Sequence, residues 1–385
     1  MKRIYTPLIL IFIFITVSCL FLAPAQIFAP PSHIYVNSTI GNDSWDGFSP
    51  TYTGENNGPK ETIASAITFM AAYGTIEIAA GTYNENLTIN TTIGETLNLN
   101  GAGADSTIIN GGISGSVFYI TGLGSVIFND LTITNGKSTV GGGISNGSPS
   151  SSGANVKIYN CVISDNEAYS VSPGNGGGIY NKNAKIEIYY SRIINNYSSQ
   201  GGGAIFNDAG EVIIHYCSIY GNSSGINAGG IVDVNNTTVF AQNNWWGSST
   251  GPSGGIADYG NPTIFANGSG DEISGSIYFY PWLTSDPFVT AASAIVEPVW
   301  VRTMPMTCYR VWINEDNKFQ FIFWYPYRDN NWVRIYDMSG KEVYSMDMPY
   351  DNPNLIVDLP DGMYTVKTFT VGSIEPIQTF VIGKP

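Results

Sequence analysis

The stretch Gly141-Gly142-Gly143-Ile144-Ser145-Asn146 decides the fold, because it recurs. Gly176-Gly177-Gly178-Ile179-Tyr180-Asn181 and Gly202-Gly203-Ala204-Ile205-Phe206-Asn207 repeat it, and Gly229-Gly230-Ile231 is a degenerate fourth copy. The isoleucines stand 35, 26 and 26 residues apart. A second block recurs at 126–136, 156–166, 186–196 and 212–222. In it Ile133, Ile163, Ile193 and Ile219 share one position, and Asn166, Asn196 and Asn222 another. A fixed period in the twenties marks a solenoid.

The local pattern selects the kind of solenoid. Runs such as Val156-Lys157-Ile158-Tyr159 and Ile186-Glu187-Ile188-Tyr189 alternate apolar and polar residues, the signature of strands rather than helices. Several strands of three to five residues per repeat, with Gly or Asn at the corners, predict a right-handed parallel β-helix. Leucine-rich repeats would need regular leucines, and a propeller blade needs about 40 residues. Gly permits the positive φ of a sharp corner. Asn tolerates left-handed backbone, and its amide can bond to the same amide one coil away. The isoleucine column is the expected dry core.

Working outward, Ile76/Ile78, Leu87/Ile89, Leu97/Leu99, Ile108/Ile109 and Val117/Phe118 read as less regular early strands. Before them, Ile63, Ala66, Ile67 and Met70 fall at i, i+3, i+4, i+7 and predict a short helix within 59–73. Laid over the open end of the solenoid, it would cover unpaired strand edges as an N-terminal helical cap. At the other end stand Asn243-Asn244-Trp245-Trp246-Gly247 and Tyr280-Pro281-Trp282-Leu283. The tandem tryptophans can plug the solenoid or stack sugars, and the repeats stop where they begin.

Composition bounds the function. The 385 residues carry 16 Lys+Arg against 30 Asp+Glu, a net charge of −14. Nucleic-acid binding needs clustered cations to displace counterions, so it is not expected. Two histidines, His33 and His215, and four cysteines build no zinc site at plausible spacing, and no resident cofactor is expected. Lys2 and Arg3 precede an apolar run from Leu8 to Leu22, and Ala23-Pro24-Ala25 has the small-x-small pattern of a cleavage site. Residues 1–25 are read as a signal peptide, with an uncleaved anchor as the other reading of the same run. The protein is expected to be secreted or held at the cell surface, as a monomer.

With these residues the chain resembles a right-handed parallel β-helix of the pectate-lyase-like superfamily. The Gly-Gly-Gly-Ile-x-Asn copies resemble those of adhesin-like surface proteins. So does the opening Tyr35-Val36-Asn37, Gly41-Asn42-Asp43, Asp46-Gly47 and Ser49-Pro50, with Gly81-Thr82-Tyr83-Asn84-Glu85 downstream. The resemblance covers roughly 33–290 and implies fold, while the superfamily spans lyases, hydrolases, epimerases, adhesins and tailspikes.

Residues 295–385 differ in texture, with 8 basic against 11 acidic residues where 26–290 has 6 against 19. Strands are expected at 310–313, 319–324, 332–337, 342–346, 355–359, 363–369 and 377–382, a number that suggests a small β-sandwich. Ser339-Gly340 and Asp361-Gly362 read as tight turns. The stretch from Val333 to Val343, with Asp361-Gly362-Met363-Tyr364, resembles the C-terminal sorting domain of type IX secretion substrates. That resemblance implies contact with secretion or attachment machinery.

For chemistry, superfamily lyases pair calcium, held by carboxylates, with a Lys or Arg base, and related hydrolases use clustered aspartates. Asp165 and Glu167 in one corner loop, with Lys182, Lys185 and Arg192 in the next coil, are the place where acid and base could meet. There is no Asp-Asp or Asp-x-Asp cluster, and charged corner residues are usually only solvated. His215 beside Tyr216 reads as structural. The rival is a polysaccharide-binding surface of tyrosines, for which Tyr180, Tyr189 and Tyr197 are candidates, joined by Trp245 and Trp246. The sequence reading is therefore a non-catalytic surface protein that adheres to or binds envelope or extracellular polysaccharide. The alternative is a polysaccharide lyase, for which calcium would be required, or a glycoside hydrolase.

Cys161, Ser191 and Cys217 share one repeat position, which separates the two sulfurs by two coils. At ~4.8 Å per coil the Cα atoms stand about 9–10 Å apart, beyond the ~7 Å reach of a disulfide. These cysteines, and Cys308, are expected to be reduced.

Overall fold

The computed structural model describes residues 33–70, 74–171, 174–235 and 237–288, and in the C-terminal part 307–313, 318–324, 331–337, 341–348, 354–359, 362–370 and 378–384. The expected signal peptide lies outside the described residues. The chain divides into two units, Met1–Ser285 and Asp286–Pro385.

The first unit is a parallel β-solenoid. Each circuit sends one strand to a nine-stranded sheet that runs from His33–Val36 to Ile277–Tyr278. It then turns into a six-stranded sheet running from Gly81–Asn84 to Ser218–Tyr220, and returns through an eight-stranded sheet containing Ile144–Asn146 and Ile179–Lys182. Four of the coils add a two-residue strand to a small fourth sheet: Lys137–Ser138, Glu167–Ala168, Tyr197–Ser198 and Ser223–Ser224. All pairings in these sheets' central coils are parallel and in the register of the repeats. Ile163 lies opposite Ile133 and Ile193, and Ile193 opposite Ile219. In the eight-stranded sheet Ile144, Ile179, Ile205 and Ile231 form a second column. Every one of these isoleucines is fully buried. Removing such a side chain from water is worth roughly 1.5–3 kcal/mol, and one column inside each sheet makes the core continuous along the axis.

Two buried amide ladders hold the corners. Asn166 donates its Nδ2 to Asn196 Oδ1, and Asn196 to Asn222 Oδ1, at 3.0 Å each. Asn222 then donates to Asp271 Oδ2 at 2.8 Å. The motif asparagines form the second ladder, from Asn146 to Asn181 to Asn207 at 3.0 and 2.9 Å, ending on Asp233 at 2.7 Å. Each amide thus satisfies its neighbour inside a dry turn, where an unpaired polar group would cost about 1–3 kcal/mol.

Corner sterics explain the glycines. Gly176 has φ +71, and a Cβ on it would sit 2.4 Å from the Ile179 carbonyl oxygen. A Cβ on Gly177 would meet the Tyr197 carbonyl oxygen of the next coil at 2.3 Å. Asn135, Asp165 and Asn195 occupy another left-handed column at φ 57, 57 and 56, with Gly221 next. A third left-handed column is less expected, because Tyr190 and Tyr216 stand in it at φ 49 and 56. Their rings stack on each other at 5.6 Å and 13°.

The helix spans Ile63–Met70, shorter than the stretch in which it is expected, and buries Ile63, Ala66, Ile67 and Met70. Its first turn is held by carboxylates from elsewhere in the chain. Asp43 accepts from the Glu61 and Thr62 N–H groups, and Glu85 from those of Ile63 and Ala64. Anionic groups at this end satisfy the orphan donors and complement the helix dipole. The strand Gly81–Asn84 is not evident in the sequence; it buries Tyr83, whose hydroxyl donates to the Ala79 carbonyl at 3.0 Å.

The shared position of Cys161, Ser191 and Cys217 holds. The Cys161 N–H donates to Ser191 Oγ at 3.1 Å and the Ser191 N–H to Cys217 Sγ at 3.4 Å. Both cysteines are free and buried, and burial pushes the Cys217 thiol up to about 12.

The second unit contains two antiparallel sheets. One orders Thr307–Ile313, Phe319–Trp324 and Asn354–Val357; the other orders Glu342–Met348, Asn331–Asp337, Gly362–Thr370 and Gln378–Lys384. Among its described residues Val333, Ile335, Val357, Leu359 and Val366 are buried.

Candidate functional site

The residues proposed for acid–base work do not meet. Asp165 is an exposed corner residue, in a column where left-handed backbone favours Asn, Asp or Gly. Glu167 lies in the small sheet and pairs with Lys137 at 2.8 Å. Lys182 ends a strand of the eight-stranded sheet, and Lys185 begins one of the nine-stranded sheet. Arg192 lies in the six-stranded sheet, donating to the Tyr220 hydroxyl at 3.1 Å. The chain turns a corner between each of these places.

The bases are engaged separately. Lys182 donates to Asp208 Oδ2 at 2.7 Å, Tyr180 donates to the same oxygen at 3.0 Å, and Asn235 donates to Oδ1 at 2.7 Å. Burial opposes ionisation of Asp208, but these three donors outweigh it and hold its carboxyl below the usual range. Burial and the adjacent Asp208 carboxylate together hold the Tyr180 phenol well above its usual range. Lys185 bonds Glu187 at 3.1 Å and Glu211 at 3.4 Å, and these carboxylates raise its ammonium above the usual range against desolvation. Among the described residues, no cluster of three or more His, Cys, Asp or Glu could hold a metal ion.

The aromatic candidates divide by burial. Tyr180 is 2% exposed and stacks on Phe206 at 5.9 Å, so its ring offers no face to a sugar. Trp246 is fully buried among the core residues. A bridge between Ser218 and Trp245 places Trp246 next in the Ile133–Ile163–Ile193–Ile219 column, so it plugs the core, while Trp245 on the outer side stays half-buried. Tyr197 is exposed on the small sheet. Tyr189 lies on the outer face of the nine-stranded sheet, stacked on Tyr159 at 5.7 Å and 10°.

That outer face carries more than the sequence reveals. Tyr159, Tyr189 and His215 are register partners in consecutive coils. His215 packs against Tyr189 at 6.1 Å; its Nδ1 bonds the Gln242 carbonyl at 2.8 Å, and burial lowers its pKa. The neighbouring column continues through Phe240 and Tyr278, stacked at 5.1 Å and 13°. Tyr259 meets Tyr278 edge-on at 5.2 Å, and Tyr280 meets Trp282 edge-on at 5.5 Å. Phe240, Tyr259 and Tyr278 escape sequence reasoning because a long excursion, 241–276, separates the register partners Phe240 and Tyr278. The one available signal is the aromatic residue at alternate positions 278 and 280, of which Tyr278 lies in the last strand and Tyr280 just beyond it.

No family model matches the chain, and no curated protein matches it. Among solved structures, it is similar to the pectin methylesterase of Aspergillus niger in a penultimately deglycosylated form. The match has 14% identity, covers 70% of this chain and 93% of that one, and has a TM-score of 0.27. A likeness at that score carries no argument about activity.

Proposed function

We propose that this protein is an exported cell-surface solenoid that binds envelope or extracellular polysaccharide without turning it over. The observation that carries the reading is the aromatic outer face that Tyr159, Tyr189, Phe240 and Tyr278 form on the nine-stranded sheet, with Tyr259 and Tyr280 at its end. Rings and hydroxyls repeated at coil spacing suit the alternating apolar and hydroxyl surfaces of a sugar chain. The acid–base residues favour binding over lysis: Glu167, Lys182 and Lys185 each have an ion-pair partner, and they occupy three different sheets. In this reading the helix covers the N-terminal strand edges. The two antiparallel sheets of 286–385 pack as a sandwich serving secretion or attachment, and residues 1–25 direct export.

A glycan array run beside a lyase assay with calcium tests the reading. Binding without turnover is expected; new unsaturated sugar ends would establish the lyase instead. Deleting residues 295–385 should leave a folded solenoid that is exported or attached poorly.

A further inference from the structure

The end of the solenoid holds two exposed aromatic rings on a rigid mount. Tyr259 is 58% exposed and Tyr280 46%. The turn between them and the last strand is pinned by Asp258, which is 3% exposed. Its Oδ2 accepts from the N–H groups of Phe279 and Tyr280 at 2.7 and 3.0 Å, and its Oδ1 from those of Gly260 and Asn261 at 3.0 and 2.8 Å. The Tyr259 N–H also donates to the Ile277 carbonyl at 3.1 Å. A buried carboxylate that accepts four backbone N–H groups ties the turn at 258–261 to residues 279 and 280 and fixes the main chain from which both rings rise. Large aromatic side chains held open on a fixed main chain are candidates for ligand contact.

Ring orientation distinguishes this end from the middle of the face. Tyr159 and Tyr189 lie parallel, each covering part of the other's face. Tyr259 and Tyr280 stand at 73° and 74° to Tyr278 and Trp282, so among the described residues neither ring is covered by a parallel partner. The middle of the column therefore has its ring faces partly taken up by parallel stacking, and the two exposed rings at the end do not.

Charge selects the ligand class. Lys157 and Lys185, the lysines of this face, have carboxylates within reach: Lys157 to Glu187 at 3.5 Å, Lys185 to Glu187 at 3.1 Å and to Glu211 at 3.4 Å. With the face's lysines compensated and the chain at −14 overall, an anionic polymer would meet repulsion without a cation to receive it.

Resting on the proposed polysaccharide binding, we infer that the ligand is an uncharged, extended polysaccharide lying along the solenoid axis. Its sugar faces seat on Tyr259 and Tyr280, and the chain runs over Tyr189 and Tyr159. The coil repeat of ~4.8 Å is close to the advance of one pyranose along an extended chain, so successive sugars meet equivalent positions.

Native-gel retardation tests this with hydroxyethylcellulose and galactomannan as neutral probes and polygalacturonate as the anionic one. Neutral polymers should retard the protein, insensitively to added salt, and polygalacturonate should not. Tyr259→Ala and Tyr280→Ala should each weaken retardation about tenfold while melting like the parent. Retardation by polygalacturonate alone, abolished by salt, would overturn the inferred ligand class and leave polysaccharide binding standing. Neutral binding unaffected by either substitution would overturn the site. Retardation by none of the polymers would remove the binding reading itself.

Discussion

The middle coils and the last coils of the solenoid use the same columns with different residues. Between Ile133 and Asn222 the isoleucine and asparagine columns repeat the same residue from coil to coil, and successive ladder amides stand 35, 30 or 26 positions apart. Beyond Asn222 the next ladder partner is Asp271, 49 positions on. The isoleucine column ends in Trp246 by the Ser218–Trp245 register, and the Cys161–Ser191–Cys217 column continues in Asn244, which accepts the Cys217 N–H at 2.9 Å. Geometry outlasts sequence identity, because a column requires a volume or an acceptor rather than one residue type.

The largest effect breaks the regular part. Ile193→Asp places an unpaired charge in the dry column and should abolish folding, a loss on the order of the whole ~5–15 kcal/mol of a domain's stability. Secretion of a variant that melts like the parent would show the columns to be misdrawn. The next test asks whether the irregular end is equally a core. Trp246→Ala should cost about 3–5 kcal/mol in denaturant unfolding, while Trp245→Ala, one residue away, should cost about 1 kcal/mol or less. Because the Trp246 indole N–H has no hydrogen-bond partner among the described residues, Trp246→Phe should restore much of the loss. Equal effects at 245 and 246 would contradict the plug.

Asp271 sharpens the comparison through pH. It receives both the backbone and side-chain N–H groups of Asn222, the same pair of bonds that Asn222 receives from Asn196. Burial pushes its carboxyl from 3.8 to about 6, so the fold favours the protonated form. That contribution is complete below about pH 4 and is lost as pH rises through the folded value. Asp271→Asn keeps the acceptor without the charge. It should stabilise the solenoid by about 1–3 kcal/mol at pH 8 and leave it unchanged near pH 4, read from thermal melts across pH. Stabilisation that is the same at both pH values would contradict the assignment. The smallest effect is expected at the sulfur column. Ser191 already fills it between two cysteines, so Cys161→Ser should cost about 1 kcal/mol or less, and neither Cys161 nor Cys217 should react with a thiol reagent before unfolding.

Much of the fold is legible in the sequence, since the Ile163 and Asn166 columns follow from one alignment. The site is less so. Lys182 and Lys185 look like neighbours because few residues separate them, but a corner intervenes and sends them to different sheets. In a solenoid the true neighbour lies one coil away, which is why Lys182 meets Asp208 and Lys185 meets Glu211. Tyr180 and Tyr189 are alike in sequence, yet burial separates a covered ring from one on the outer face, and that depends on which way each strand's alternation is set. Tyr259 carries no repeat signal, since its place comes from the Asp258 turn.

The one-way run of the amide ladders also sets a rule for how such a chain can grow. Each interior asparagine takes a hydrogen from the ladder amide before it and hands one to the coil after it, so a duplicated 26-residue unit spliced between Asn196 and Asn222 would find the same donor and acceptor on both sides. The final carboxylate accepts and has none to pass on. By this rule tandem duplication is open between Asn166 and Asp271 and between Asn146 and Asp233, and the two acids act as full stops in a sentence that gains clauses in its interior.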